Sequence, residues 1–290
     1  MMRNGSYIGR SRISFAPGKI ILSGEYAVIY GFSGIAIPST HGVEVIFEES
    51  PTYEHVEVHW KRQGIGKTWQ SYAEKIVTLC QKHQPRQGRL VINADLPLGK
   101  GMGSSTALLI ATTRALLGQD AREVALSIED SLNPAHSGFD FTTIWEGVPI
   151  LYRKGEVSKP VSISSESLQE ALLIDTGTPS ESTADLVAWM QGRETEVQKV
   201  LQVIGRCTER LLKGEPLDVV MHEHHRAQVA LGVVPQGVQE LVGDIEQNGG
   251  AAKVIGAGSR SGGAGMLLAL GNQKKIQNIA NERGMSTMAP

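Results

Sequence analysis

The chain has 290 residues, 41% of them apolar, with 28 Lys+Arg against 30 Asp+Glu. That is enough to bury a sizeable core in one large or two modest domains. The near-neutral balance, with no basic run and no acidic tail, argues against nucleic acid as a partner. No apolar stretch is long enough to span a bilayer, so no membrane partner is expected. The start, residues 1–12, is polar and lacks the hydrophobic region of a secretion signal. Cys80 and Cys207 belong to no CxxC or Cys/His pattern and read as free thiols in a reducing compartment. The expected location is the cytoplasm.

In chain order, residues 13–15 and 19–22 read as strands on either side of Pro17-Gly18. Residues 43–47 and 56–60 alternate or run apolar as strands do. Residues 69–81 have helical spacing, with Tyr72, Ile76, Val77 and Cys80 on one face. A strand over 89–96 leads through a glycine loop into an apolar helix over 107–117. A shorter helix, 121–131, stops at Asn133-Pro134. A strand follows at 148–152, then a Ser/Lys/Glu-rich stretch, 154–169, that reads as a seam. Residues 171–177 look like a buried strand ending in a turn. Helices are expected over 182–191, 195–212, 217–231 and 236–247, the first stopped by Gly192. The chain closes with a strand (252–255), a glycine loop (256–265), a strand (266–270) and a helix (274–283). No internal repeat is visible. The sum is a mixed α+β chain in two halves.

Three glycine-bearing segments carry the chemistry. The middle one runs Pro97-Leu98-Gly99-Lys100-Gly101-Met102-Gly103-Ser104-Ser105-Thr106-Ala107. Glycines let backbone N–H groups approach an anion, and the helix behind them adds a positive dipole end. The two serine hydroxyls can cap that helix or reach a phosphate or its metal. The plain alternative is a capped helix after a tight turn. The first segment, Ala16-Pro17-Gly18-Lys19 through Ser23-Gly24-Glu25-Tyr26, places Lys19 in an apolar run, to meet an anion or to snorkel to the surface. The third, residues 253–264, holds more glycines than a hairpin needs, which points to close backbone approach.

Asp140 follows Asn133-Pro134-Ala135-His136-Ser137-Gly138-Phe139, a shaped turn. Its carboxylate is either held toward a cleft or spent on an Asx-type turn. Glu25 and Glu129 are surface carboxylates or Mg²⁺ ligands. His222-Glu223-His224-His225-Arg226 is not HExxH, and a helix would scatter these side chains round its circumference. The GxSxG elbow, the Walker loop and the dinucleotide fingerprint are each broken or absent.

Taken in order, the three segments resemble the signature motifs of the GHMP kinase superfamily, and within it those of mevalonate kinases. The middle segment is similar to the family's PxxxGxGSSxA phosphate loop, and residues 253–263 to its GAGxGG loop. The run from Glu129 to Asp140 resembles its Glu…Pro-Ser-Gly-x-Asp pattern. Residues 173–177 and 182–187 resemble its substrate-side segments. The chain departs from the mevalonate kinase pattern at Ser23-Gly24-Glu25-Tyr26, at Ser182-Thr183-Ala184, at Ser259-Arg260-Ser261 and at His136.

The resemblance implies a two-domain GHMP fold. Residues 1–157 would form an N-terminal nucleotide-binding α/β domain like a ribosomal-protein domain, and 158–290 a C-terminal ferredoxin-like domain. It implies ATP and Mg²⁺, with mevalonate as the small-molecule acceptor. Asp140 would be the catalytic base, with Lys19 beside it. Pro97, Gly99, Lys100, Gly101, Met102, Gly103, Ser104, Ser105 and Thr106 would hold the nucleotide. Glu129 and one serine of the Ser104/Ser105 pair, assigned here as Ser105, would hold the metal. Lys19, Glu25, Tyr26, Ser137, Gly138, Asp140, Gly256 and Ala257 would face the acceptor. Two rivals stay open: a phosphomevalonate kinase, for which Gly24-Glu25-Tyr26 speaks and Lys100 and Arg260 are available, and a non-catalytic nucleotide sensor. The sequence does not report oligomeric state, and a homodimer stays open.

Overall fold

The computed structural model describes residues 11–163 and 166–290. The polar start, residues 1–10, and positions 164–165 of the expected seam lie outside them. Two sheets carry the structure. The first is built on a long antiparallel pair, β1 (Ser11–Ser23) and β2 (Gly34–Glu49). Where two strands were expected on either side of Pro17-Gly18, β1 is continuous. The pairing register instead slips between Pro17 and Lys19, so an irregularity absorbs the proline, which has no N–H to give the ladder.

β3 (Val56–Trp60) runs parallel to β4 (Gly88–Ala94), joined by α1 (Lys67–His83). β4 pairs with β2. The next helix, α2 (Ser104–Leu117), is buried nearly all round. It packs on β1 and β2 on one side and on α1, α3 (Arg122–Leu132) and α4 (Phe139–Glu146) on the other. Its apolar, Ala/Leu/Thr-rich sequence suits a central helix with no solvent face. β5 (Ile150–Tyr152) and β6 (Lys159–Pro160) complete the sheet.

After a short α5 (Glu166–Gln169), β7 (Leu172–Asp175) opens the second sheet. Four helices follow: α6 (Thr183–Gln191), α7 (Glu194–Leu212), α8 (Leu217–Leu231) and α9 (Gln236–Gln247). β8 (Ala251–Val254), β9 (Met266–Leu270), α10 (Gln273–Glu282) and β10 (Thr287–Met288) close the chain. This sheet is antiparallel throughout, in the order β10-β7-β9-β8, with α8 and α9 packed on β8. α7 also touches β1, β2 and the turn after β1, so it ties the halves together. One apolar core runs from Ala16 and Leu108 in the first half to Ile255 and Leu268 in the second. The α+β class expected from the sequence is the class observed.

The helix pattern of the second half matches expectation to within a residue or two. Helix α4 was not foreseen, nor were β6, α5 and β10. Asp140, read as part of a turn, stands in the first turn of α4, behind an N-cap Gly138 at φ 84°.

Candidate active site

A cavity of about 500 Å³ opens between the halves, walled by the three glycine segments, the Asp140 turn and the segment before α6. Gly99, Gly101 and Gly103 all adopt positive φ, at 71°, 81° and 72°. Alternating left-handed residues turn successive amides to one side and form an anion-binding concavity. The first bond of α2 runs from the Ala107 amide to the Gly103 carbonyl, so the amides of Ser104, Ser105 and Thr106 precede the ladder at the positive end of the helix. No serine caps the helix. Gly103 is the N-cap, and the Ser104 hydroxyl accepts from the Gly99 amide at 3.0 Å, bracing the loop from inside.

The third segment supports this loop from behind. A Cβ on Gly256 would lie 3.0 Å from the Cα and carbonyl oxygen of Gly101. The Met266 amide donates to the Lys100 carbonyl at 2.9 Å. Of the residues expected to hold nucleotide, Gly99, Gly101, Gly103, Ser104, Ser105 and Thr106 line the cavity. Pro97, Lys100 and Met102 do not. The Lys100 ammonium leaves the loop to pair with Asp175 at 3.0 Å, and Met102 is fully buried.

Lys19 and Asp140 come together at this helix start. The buried ammonium lies 3.3 Å from Asp140 Oδ1 and 3.4 Å from the Ile255 carbonyl. The Lys19 amide is held by the Met102 carbonyl at 2.9 Å. A Cβ on Gly103 would sit 3.1 Å from Lys19 Cγ and 2.8 Å from Ile144 Cδ1, so only glycine leaves room for both helices and the lysine. Ser137 and Gly138 shape the approach to Asp140. The Ser137 hydroxyl accepts from the Phe139 amide at 3.2 Å, and the Ser137 carbonyl accepts from the Tyr152 hydroxyl.

Glu129 is buried on α3. Its Oε1 accepts from Thr106 at 3.1 Å, while Oε2 is buried with no partner. Burial pushes this carboxyl above its ordinary range, opposed by His136 and by the hydrogen bonds from Thr106 and Asn133. Ser105 is half-buried on the same wall. Among the described residues no group of three or more His, Cys, Asp or Glu is arranged to hold a metal.

Glu25 and Tyr26 also line the cavity. Glu25 is not a free ligand. Its buried carboxylate pairs with Lys253 on β8 and lies 3.0 Å from His224 on α8. Burial alone would raise its pKa, but Lys253 and His224 outweigh that and hold it at about 2. Burial pushes both partners down in turn. Lys253 also donates to the Ile21 carbonyl at 2.9 Å. Tyr26 has φ 62°, ψ −42°, and the Ala27 amide bonds to the Glu25 carbonyl at 2.7 Å, a strained γ-turn. The Tyr26 hydroxyl anchors it on the Ala257 carbonyl, beside Gly256.

Lys253 and His224 were missed as functional residues. The signal for Lys253 was the one noted for Lys19, a lone lysine in an apolar run. The His222–Arg226 segment scatters as expected: His222 faces Glu246, Glu223 faces Arg210, and His224 points inward. Glu181 and Ser180, also unforeseen, are clasped to the third segment through Ser259.

Residues 71–145, from α1 to α4, match the model of the GHMP kinases N terminal domain. The mevalonate kinase of Thermococcus sibiricus is 26% identical over 316 aligned positions, which cover 91% of this chain and 90% of that protein. The crystal structure of the Methanococcus jannaschii mevalonate kinase superposes with a TM-score of 0.77 at 18% identity, covering 98% of each chain. The L. major mevalonate kinase in complex with R-mevalonate superposes with a TM-score of 0.77 at 20% identity, covering 100% of this chain and 99% of that one. With three motifs in order on a shared two-sheet fold, the chain is similar to mevalonate kinases along nearly its whole length, and residues 71–145 match the N-terminal domain of the GHMP kinases.

Proposed function

We propose that this chain is a mevalonate kinase, transferring the γ-phosphoryl group of ATP to the 5-hydroxyl of mevalonate. The observation that carries the reading is the Lys19–Asp140 pair, 3.3 Å apart at the open start of α2. Phosphoryl transfer asks a protein mainly for positioning and charge neutralisation. The amides of the middle glycine segment supply the cradle for the phosphates. Asp140 takes the hydroxyl proton as the acceptor oxygen bonds to phosphorus and the bond to the ADP oxygen breaks. Lys19 stands between base and loop, where it holds the accepting oxygen and meets the charge on the transferring group.

Glu129 and Ser105 fit Mg²⁺. A buried carboxylate with one unpartnered oxygen, in a cavity that Ser105 also lines, suits an ion whose other ligands are phosphate and water. When bound, the ion neutralises phosphate charge. Glu25 and Tyr26, fixed by Lys253 and Ala257, form the acceptor wall with Ser137 and Gly138. We also propose two units, residues 1–157 and 158–290, with the cavity at their seam; β6, just past that boundary, still pairs with the first sheet.

The phosphomevalonate reading needs further cations for the second phosphate. Lys100 is engaged with Asp175, and Arg260 stacks on Trp189 at 4.8 Å. Among the described residues the basic side chains lining the cavity are Lys19 and His136, against carboxylates at Glu25, Glu129, Asp140 and Glu181. That balance favours an acceptor without a phosphate. Among the described residues no helix is long and apolar enough to cross a membrane. The two buried free thiols suit a reducing cytoplasm.

ADP release is measured with Mg²⁺, ATP and mevalonate, phosphomevalonate, homoserine or galactose in parallel. Mevalonate is expected to be the preferred acceptor. A rate with phosphomevalonate but none with mevalonate overturns the acceptor, and no transfer to any alcohol favours the sensor. Asp140→Asn is expected to bind ATP normally and lose at least about a hundredfold in turnover.

A further inference from the structure

His136 precedes Ser137 where the mevalonate kinase pattern has a proline, and its ring lines the cavity. We propose that His136 is a positioning residue: a strut through which α3, the helix that carries Glu129, sets the place of Asp140 at the start of α4. The inference rests on the reading of Asp140 as the base.

Both ring nitrogens are engaged. Nδ1 accepts from the Gly138 amide at 3.2 Å, and Nε2 lies 2.7 Å from Asp130 Oδ1. A nitrogen that accepts carries no proton, so the hydrogen sits on Nε2 and is donated to the carboxylate. The backbone closes the same turn, the His136 amide donating to the Asn133 carbonyl at 3.0 Å. Gly138 is the N-cap of α4, and Asp140 lies in the first turn beyond it. On its other side Gly138 meets Tyr152, whose hydroxyl would lie 2.6 Å from a Cβ there.

The ring is shielded, with the side chain 14% exposed, whereas that of Asp130 is 62% exposed. Asp130 directly follows Glu129, which bonds to Thr106 on α2. One chain of contacts thus links the nucleotide helix, the expected metal ligand and the base: Thr106 to Glu129, Asp130 to His136, His136 to Gly138, then Asp140. A proline would stiffen this turn by its own ring and report nothing from α3. The histidine stiffens it with a bond anchored on α3, so the two helices move together. Proline at 136 would also forfeit the amide that closes the turn on Asn133. Displacing a reacting group by about 1 Å can cost up to about a hundredfold in rate, so a loosened strut is read in turnover rather than in nucleotide affinity.

The test is steady-state kinetics of the full chain with Mg²⁺, ATP and mevalonate, with a thermal melt for each variant. His136→Ala is expected to lower kcat about tenfold while KM for ATP stays within about twofold. Asp130→Ala is expected to lower kcat by less, and the double variant to be no worse than His136→Ala. Asparagine accepts a hydrogen bond from the amide two residues on, as in an Asx turn, so His136→Asn is expected to restore turnover to within about threefold of the native chain. Native kcat in folded His136→Ala, a defect confined to KM for ATP, or additive losses in the double variant overturns the proposal. If His136→Ala does not fold, His136→Asn and Asp130→Ala carry the comparison, and native kcat in Asp130→Ala overturns it. Asp140→Asn runs alongside. Its near-native turnover would overturn both this inference and the assignment of the base, while an inactive Asp140→Asn beside a native His136→Ala overturns the strut alone.

Discussion

Lys253→Met removes one charge from the buried pair that joins the two halves and keeps the length of the side chain. Glu25 is then an ion with a side chain 1% exposed and only His224 beside it. Removing one partner of a buried pair costs about 3–5 kcal/mol. A second route gives a similar figure. Glu25 is held at about 2 from an ordinary 4.5, the cost of burial being outweighed by Lys253 and His224. At 1.36 kcal/mol per unit, that displacement is worth about 3 kcal/mol, of which the burial that pushes Lys253 down offsets a part. Because the folded pKa lies below the unfolded one, this stabilisation is present in full above about pH 4.5 and is lost as the pH falls toward 2. In the variant the slope reverses at higher pH. Burial now disfavours the lone carboxylate, and a proton taken up by Glu25 or His224 relieves it, so the deficit shrinks as the pH drops from 8 to 6. For 290 residues, an unfolding entropy of about 2.1 cal/mol/K per residue converts about 3–5 kcal/mol into a Tm lower by about 5–8 °C. Scanning calorimetry at pH 6, 7 and 8 measures it. A variant melting within about 1 °C of the native chain at pH 8, or with a deficit independent of pH, refutes the argument.

Glu129→Gln keeps a group that can accept from Thr106 but removes the charge on the unpartnered oxygen. It is expected to raise the Mg²⁺ concentration for half-maximal rate at least about tenfold without lowering Tm, since burial already disfavours the carboxylate. Gly256→Ala places a methyl 3.0 Å from backbone atoms of Gly101 and must displace the phosphate loop, so KM for ATP should rise at least about fivefold. Cys80 and Cys207 are buried thiols pushed up to about 11 by burial. Ellman's reagent at pH 8 should label both at least about a hundredfold faster in guanidinium than in the native protein.

What the sequence revealed follows from what each residue type reports. Glycine and proline report the backbone, so the middle glycine loop, the third segment packed on it and most of the helix ends were legible. Amphipathic spacing reports burial, so the helices of the second half were placed almost to the residue. Helix α4 escaped both signals. Its eight residues mix four apolar with four polar side chains, most of them buried, too short a run to show a period, and glycines at each end look like a loop. Lys100 shows the opposite error. Between two glycines it read as a phosphate ligand, yet those glycines fix the direction of its peptide planes and say nothing about its side chain, which leaves for Asp175.

The cavity wall around Glu25 and Tyr26 was the least legible part because it is held by pairs distant along the chain. Tyr26 reaches Ala257 across 231 positions, Glu25 reaches Lys253 across 228, and Glu181 reaches Ser259 across 78. Each pair joins segments that no local pattern links, and each has a member lining the cavity. If that wall faces the acceptor as proposed, a substitution at Lys253 or Ser259 is expected to act on it as directly as one at Glu25 or Glu181. The wall is rigid for the same reason that it was unreadable. Glu25 and Tyr26 are held from the other half of the molecule, by Lys253 and Ala257, so this wall of the cavity and the seam between the sheets are one structure.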